Sequence, residues 1–138
     1  QTLAERAVYR VPEEWVGYGT WVANSDCTKL VGIEIARRDW TPLNDWKIFH
    51  DFFHKGPHCR LLRVDLKTGE STTIHDEKIW LGHPFYRPFD DNTVAFCHEG
   101  PHDQSTPACG WSTKMAATCE SGTRKAAVHE FWVPDGPR

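Results

Sequence analysis

Two stretches of this 138-residue chain lie over one another without a gap. Gly19–Ile33 reads GTWVANSDCTKLVGI, and Gly82–Phe96, 63 positions further on, reads GHPFYRPFDDNTVAF. A third stretch, Val128–Gly136 (VHEFWVPDG), lies over the start of the same unit after 46 more positions. A repeat constrains a fold more than any single motif, because each copy is a unit that cannot bury its own apolar face and must stack on the next. The shorter offset suits a propeller blade of about 40–50 residues. The longer one suits a blade carrying an insertion over Asp39–His58. Strand–turn–strand units with an apolar second strand fit four-stranded blades. The expected fold is therefore all-β: a partial β-propeller of about three four-stranded blades, with residues 1–138 forming one domain. An antiparallel sandwich is the structural alternative.

Strand signals support this reading along most of the chain. AVYRVP alternates briefly, GTWVANSDCTKLVGIEIAR reads as strand, turn, strand, and CRLLRVDLKTGESTTI reads as a hairpin about a KTGE turn. Only RDWTPLNDWKIFHDFFHK has helical spacing, with Trp46, Phe49 and Phe53 on one face between Pro42 and Pro57. One short helical insertion is expected near 43–55. No run approaches the roughly 18 apolar residues of a membrane-spanning helix, so no membrane partner is expected. The net charge of −3, with both signs interspersed, argues against a nucleic-acid surface. Five cysteines at irregular spacing do not form a disulfide framework; they read as free thiols in a reducing cytoplasm.

The repeat puts Thr20, His83 and His129 at one equivalent position. In a propeller the innermost strand of each blade lines the central channel, so these residues would face a common axis. A histidine titrates near neutrality, which suits His83 to general-base work; a structural histidine is the plainer alternative. His129 is a candidate metal ligand by the same geometry. Arg60 could clamp a carboxylate with its bidentate fork, whereas Arg63 and Asp65 read as a surface ion pair. HEGPH at His98–His102 matches the H-E-x-x-H zinc pattern. Gly100 and Pro101 break the helix that this pattern needs, so the zinc-protease reading is rejected. Cys97, His98, His102 and Cys109 could ligate zinc, but their spacing fits no structural zinc pattern.

Taken together, LGHPFYRPFDDNTVAFCHEGPHD, HEFWVPDG, GTWVANSDCTKLVGIEI and CRLLRVDLKTGE resemble the oligogalacturonate lyases, cytoplasmic enzymes of pectin breakdown. The resemblance implies a seven-bladed β-propeller, of which this chain would be an interior piece. It also implies β-elimination on short oligogalacturonides, assisted by manganese. By position, His83 matches the family's base, Arg60 the arginine at the reacting carboxylate, and His129 the first metal-ligand histidine. The family's other metal ligands, a glutamine and two histidines, come from a later blade. The isolated chain is accordingly expected to be inactive. A non-catalytic carbohydrate- or protein-binding propeller fragment is the alternative.

The resemblance lapses over Gln104–Val128, which is small, polar and patternless and reads as irregular. Codons exist for Gln104–Ser121 that, read one base out, spell IDARMRLVNEDGSNVRK, the family's strand and turn at this place. We read the stretch as a displaced frame of that strand's gene, with a compensating shift before His129. The coding DNA is expected to encode the family strand in a neighbouring frame. Sequencing that finds it in neither frame would refute this.

Overall fold

The computed structural model describes residues 4–99, 109–113 and 116–117, with Glu99 and the last two segments described by their backbone alone. It is mostly antiparallel β-structure with one short helix. Strands β1 (Trp15–Ala23), β2 (Lys29–Ala36), β3 (Cys59–Asp65) and β4 (Ser71–Glu77) form one meander in sequence order. Strands β5 (Trp80–Arg87), β6 (Asp90–Glu99), β7 (Cys109–Thr113) and β8 (Ala116–Ala117) form a second, also in sequence order. Both copies of the repeat thus become the first hairpin of a four-stranded sheet. The stretch that would begin a third unit, Val128–Gly136, lies outside the described residues.

Two expectations change. AVYRVP is not a strand; it belongs to an extended segment that runs along the first sheet, where Tyr9 meets the Trp21 ring. Its ladder hydrogen-bonding is replaced by side-chain contacts, which period-2 alternation cannot reveal. Within the stretch 104–128, expected to be irregular, Cys109–Thr113 pairs with β6 and Ala116–Ala117 pairs with β7. Pairing to an existing strand edge needs only backbone groups, so a patternless sequence can still add strands to a sheet. The rest of 104–128 lies outside the described residues.

Helix α1 (Trp46–Lys55) falls inside the expected insertion. Asp45 caps its start by accepting a hydrogen bond from the Lys47 amide at 2.8 Å. Gly56, at φ 61°, ends it in the left-handed conformation that a glycine adopts without a Cβ clash. The apolar face is rotated from the sequence expectation. Phe52 is the buried residue, with Phe49 and Phe53 packed beside it, whereas Trp46 is 78% exposed and stacks on Phe49.

The core lies between the two sheets and under α1. Val31, Ile33 and Ile35 of β2 and Cys59 and Leu61 of β3 face Trp80, Leu81, Tyr86, Val94 and Phe96 of the second sheet. Trp80 is the junction: its ring lies 4.5–5.4 Å from those of Phe53, Phe52, Tyr18 and Phe49. Burial pushes the Tyr86 hydroxyl up to about 12 and the Cys59 thiol likewise up to about 12, so neither ionises near neutrality.

At one end a polar clasp joins the sheets. Buried Asn24 closes the β1–β2 turn by accepting from the Thr28 and Lys29 amides, each at 2.9 Å, and donates to Asp91 Oδ1 at 2.8 Å. Lys29 Nζ donates to the other Asp91 oxygen. These hydrogen bonds, from Lys29 first and Asn24 next, hold the Asp91 carboxyl below the usual carboxylate range. A depressed folded-state value stabilises the fold above the unfolded carboxyl's value, and that contribution is lost as pH falls through the lowered one. Asp91→Ala is expected to lower the urea-unfolding midpoint by an amount equivalent to about 1–3 kcal/mol at neutral pH, with an unchanged slope. The gap from wild type should close below the carboxylate range. A gap that persists unchanged in strong acid would show that the carboxylate is not its source.

Candidate functional site

The repeat carries a backbone irregularity as well as a sequence. In β1 the register with β2 shifts between Tyr18 and Val22, and Gly19 sits at φ 67°. In β5 the register with β6 shifts between Gly82 and Phe85, and His83 sits at φ 47°. Each first strand therefore has a bulge at an equivalent place, and β1 packs against β5. Bulges re-aim side chains and are over-represented beside active sites. Thr20 and His83, the equivalent positions, are both exposed. His129, the third, lies outside the described residues.

Arg60 has a different setting. Register puts Glu34 of β2 opposite Arg60 of β3, and Arg60 opposite Asp76 of β4. Glu34 is fully buried. Arg60 donates to Glu34 Oε2 from Nε at 2.8 Å and from Nη2 at 2.6 Å, and the Tyr9 hydroxyl donates to Oε1 at 2.8 Å. The guanidinium carbon lies 4.0 Å from the centre of the Trp15 ring, a cation–π geometry. Both guanidinium donors thus converge on one oxygen of the protein's own Glu34. Arg60 alternates with Cys59 and Leu61, which face the second sheet, so it lies on the face of the first sheet turned away from that sheet.

Arg63 lies on the face towards the second sheet and donates to the Asp91 carbonyl at 3.5 Å. Asp65 is occupied in its own turn, accepting from the Lys67 and Thr68 amides at 2.8 and 2.9 Å. The expected Arg63–Asp65 surface pair is thus replaced by a cross-sheet contact and a turn cap.

His98 is a strand residue of β6, so HEGPH does not start on a helix and the rejection of a zinc protease stands. Neighbouring strand residues point to opposite faces, which separates the Cys97 thiol from the His98 ring as ligands for one ion. The side chains of His102 and Cys109 lie outside the described residues. Instead, His98 Nε2 and His75 Nε2 each lie 3.0 Å from Glu77 Oε2. Among the described residues, His75, Glu77 and His98 are the group of three ligating side chains close enough for a single ion; neither His83 nor Arg60 belongs to it. Beside Arg60, His58 Nε2 meets Asp76 Oδ1 at 2.6 Å, and the His58 ring packs edge-on to Trp15 at 5.2 Å.

Sequence reasoning missed Glu34, Tyr9, Trp15, His58, Asp76 and His75. Glu34 had a visible signal, being the one charge in the apolar run LVGIEIA. The others become meaningful only once strand register is known.

A family model described as oligogalacturonate lyase matches residues 1–138. An oligogalacturonide lyase of Pectobacterium atrosepticum is 60% identical over 140 aligned positions, which take in 98% of this chain and 36% of that protein. An oligogalacturonate lyase of Dickeya dadantii is 59% identical with the same coverage. Among solved structures, an oligogalacturonate lyase in complex with manganese superposes with a TM-score of 0.86 at 60% identity, over 97% of this chain and 37% of that one. An oligogalacturonate lyase of Vibrio parahaemolyticus gives 0.85 at 53% identity, over 97% and 36%. The chain thus spans little more than a third of the length of the proteins it matches.

The Glu34–Arg60 pair yields a stability test. Arg60→Ala should leave a buried, uncompensated carboxylate and destabilise the fold by about 3–5 kcal/mol. Replacing both partners together, Glu34→Leu with Arg60→Met, should recover most of that loss. Urea unfolding of the three variants measures both. A single-variant loss under about 1 kcal/mol would show that the guanidinium is not committed to Glu34.

Proposed function

Because this chain belongs to the oligogalacturonate lyase family, we propose that it is part of an enzyme that cleaves short oligogalacturonides by β-elimination, yielding unsaturated uronates in pectin catabolism. The observation that carries the reading is the family match over all 138 residues. The activity is assigned to the whole protein, since this chain spans 36% of its curated relatives. We read the two meanders as blades of a β-propeller. Their first strands lie together and bulge at equivalent positions, as adjacent channel-lining strands would.

His83 is the proposed base. Its imidazole would remove the proton at C5 of the uronate, electrons would form the C4–C5 double bond, and the C4–O4 bond would break with O4 leaving as an alkoxide that takes up the proton from the imidazolium. Exposure and a left-handed backbone seat on a bulge support the assignment. Manganese is the proposed metal, because a related structure holds it. His129 is the ligand this chain would contribute, and the ion would neutralise the uronate carboxylate and acidify the C5 proton. Arg60, expected at the reacting carboxylate, is proposed instead as a positioning residue, through the sheet it stabilises, since Glu34 already holds its guanidinium. Cys27 and Cys59 are free thiols, which suits a reducing cytoplasm.

Ultraviolet absorbance of the unsaturated product tests the reading. With manganese, His83→Ala in the full-length protein should lower kcat by about 10²–10⁴-fold, the usual contribution of general-base catalysis. The 138-residue chain alone should form no product. Wild-type turnover by His83→Ala would remove His83 from the mechanism. A full-length protein that binds oligogalacturonides without forming unsaturated product would favour a non-catalytic binding propeller instead.

A further inference from the structure

We propose that His75, Glu77 and His98 form a site for a first-row divalent cation of the zinc class, joining the two sheets across their interface. The site is separate from the proposed catalytic metal and does not rest on the lyase reading, since its test reads binding rather than turnover.

His75 and Glu77 are two residues apart on β4, so both side chains lie on one face of the first sheet. His98 is on β6 of the second sheet. The three ligand atoms all lie within 4.8 Å of one another. Both histidine Nε2 atoms are 3.0 Å from the same oxygen, Glu77 Oε2. Metal–ligand bonds of about 2.0–2.2 Å put neighbouring ligand atoms roughly 3.0–3.4 Å apart, so these contacts already have the spacing of coordination-sphere edges. The ring centroids of His75 and His98 are 6.5 Å apart, so an ion that binds both imidazoles side by side would draw the rings inward by roughly an ångström.

The rings are held in place independently of any ion. Phe96, buried in the core, packs against His75 at a centroid distance of 4.9 Å and meets His98 edge-on at 5.6 Å. The histidine side chains are four-fifths covered, whereas Glu77 is 44% exposed. The ligands are thus packed in advance, with a route in from solvent and room for water in the remaining positions. Two imidazoles and one carboxylate make the facial ligand set that suits first-row transition ions. Calcium and magnesium prefer all-oxygen shells. Without metal, each imidazole can donate its Nε2 hydrogen to Glu77. With metal, each must carry its proton on Nδ1 and offer the Nε2 lone pair. A hydrogen-bonded trio and a metal site therefore share nearly the same heavy-atom geometry, and metal titration decides between them.

The experiment titrates the metal-stripped 138-residue chain with zinc, using cobalt(II) absorption as a second probe. One competing site is removed first: His50 and His54 face each other on α1 with Nε2 atoms 3.1 Å apart, so the background carries His50→Ala and His54→Ala. The expected result is one tight equivalent in this background. Its affinity should fall about tenfold or more in Glu77→Gln, a change of similar shape at a half-exposed position, and vanish in His75→Ala/His98→Ala. Zinc should also raise the thermal midpoint only where the triad is intact, because binding to the folded state alone stabilises it. Far-UV circular dichroism confirms that each variant is folded. Equal zinc affinity in Glu77→Gln and its background, or no binding in that background, overturns the proposal.

Discussion

The structure depends on β2 being buried on both faces. From Val31 to Ala36 every residue is buried, so the strand needs a cover on each side. On one side Val31, Ile33 and Ile35 meet the second sheet, with Trp80 as the shared ring between that sheet and α1. On the other side the cover comes from the segment before β1 and from Trp21. The Trp21 ring lies so close over Gly32 that a Cβ there would come within 2.3–2.5 Å of it. A glycine at 32 is therefore a packing requirement, and any larger residue would push the indole away from the strand.

A charge at the centre of such a strand is costly unless it is neutralised in place. Glu34 is neutralised by two donors from Arg60 and one from Tyr9. Arg60 in turn is held over the Trp15 ring. The network ties β1, β2, β3 and the leading segment to one carboxylate, whose register across β2 and β3 the pairing fixes. That commitment also explains why an arginine with the right chemistry for a substrate carboxylate need not meet one. Its desolvation is already offset by Glu34, and turning the guanidinium outward would leave that buried carboxylate without a countercharge, held by the Tyr9 hydroxyl alone.

Much of the fold was legible in the sequence. The repeat marked β1–β2 and β5–β6, the KTGE turn marked β3–β4, and the Pro42–Pro57 bracket marked α1. These signals are local: periodicity, turn residues and helix caps. What was not legible depends on register and on contacts between sheets. The buried face of α1 turned from Trp46 to Phe52 because Trp80, 28 residues beyond Phe52 in the chain, decides which side is covered. Arg60 and Arg63 could not be separated by spacing alone; register sends one to Glu34 and the other to Asp91. His75 stands two residues from Glu77, but its other neighbour, His98, is on the second sheet, which spacing alone does not show. The leading segment AVYRVP shows the same limit, because brief alternation is also produced by a chain that packs without pairing.

The bulges bear most directly on His83. By sequence, Gly19 aligns with Gly82, and a repeat copied faithfully would put the left-handed residue at Gly82, where it costs nothing. In β1 the left-handed seat is indeed the glycine, at φ 67°. In β5 it has moved one residue on, to His83 at φ 47°, although a glycine stands immediately before it. A side chain in that region costs about 1–2 kcal/mol, and the adjacent glycine would have spared it. The histidine holds the seat all the same, as Cys27 and Phe89 hold left-handed positions elsewhere, at φ 57° and 60°. Such strain persists where the surroundings enforce it, and it gathers at sites whose chemistry uses the displaced side chain. In β1, where the equivalent side chain is Thr20, glycine takes the strain; in β5 the imidazole itself sits on the bulge that sets its direction.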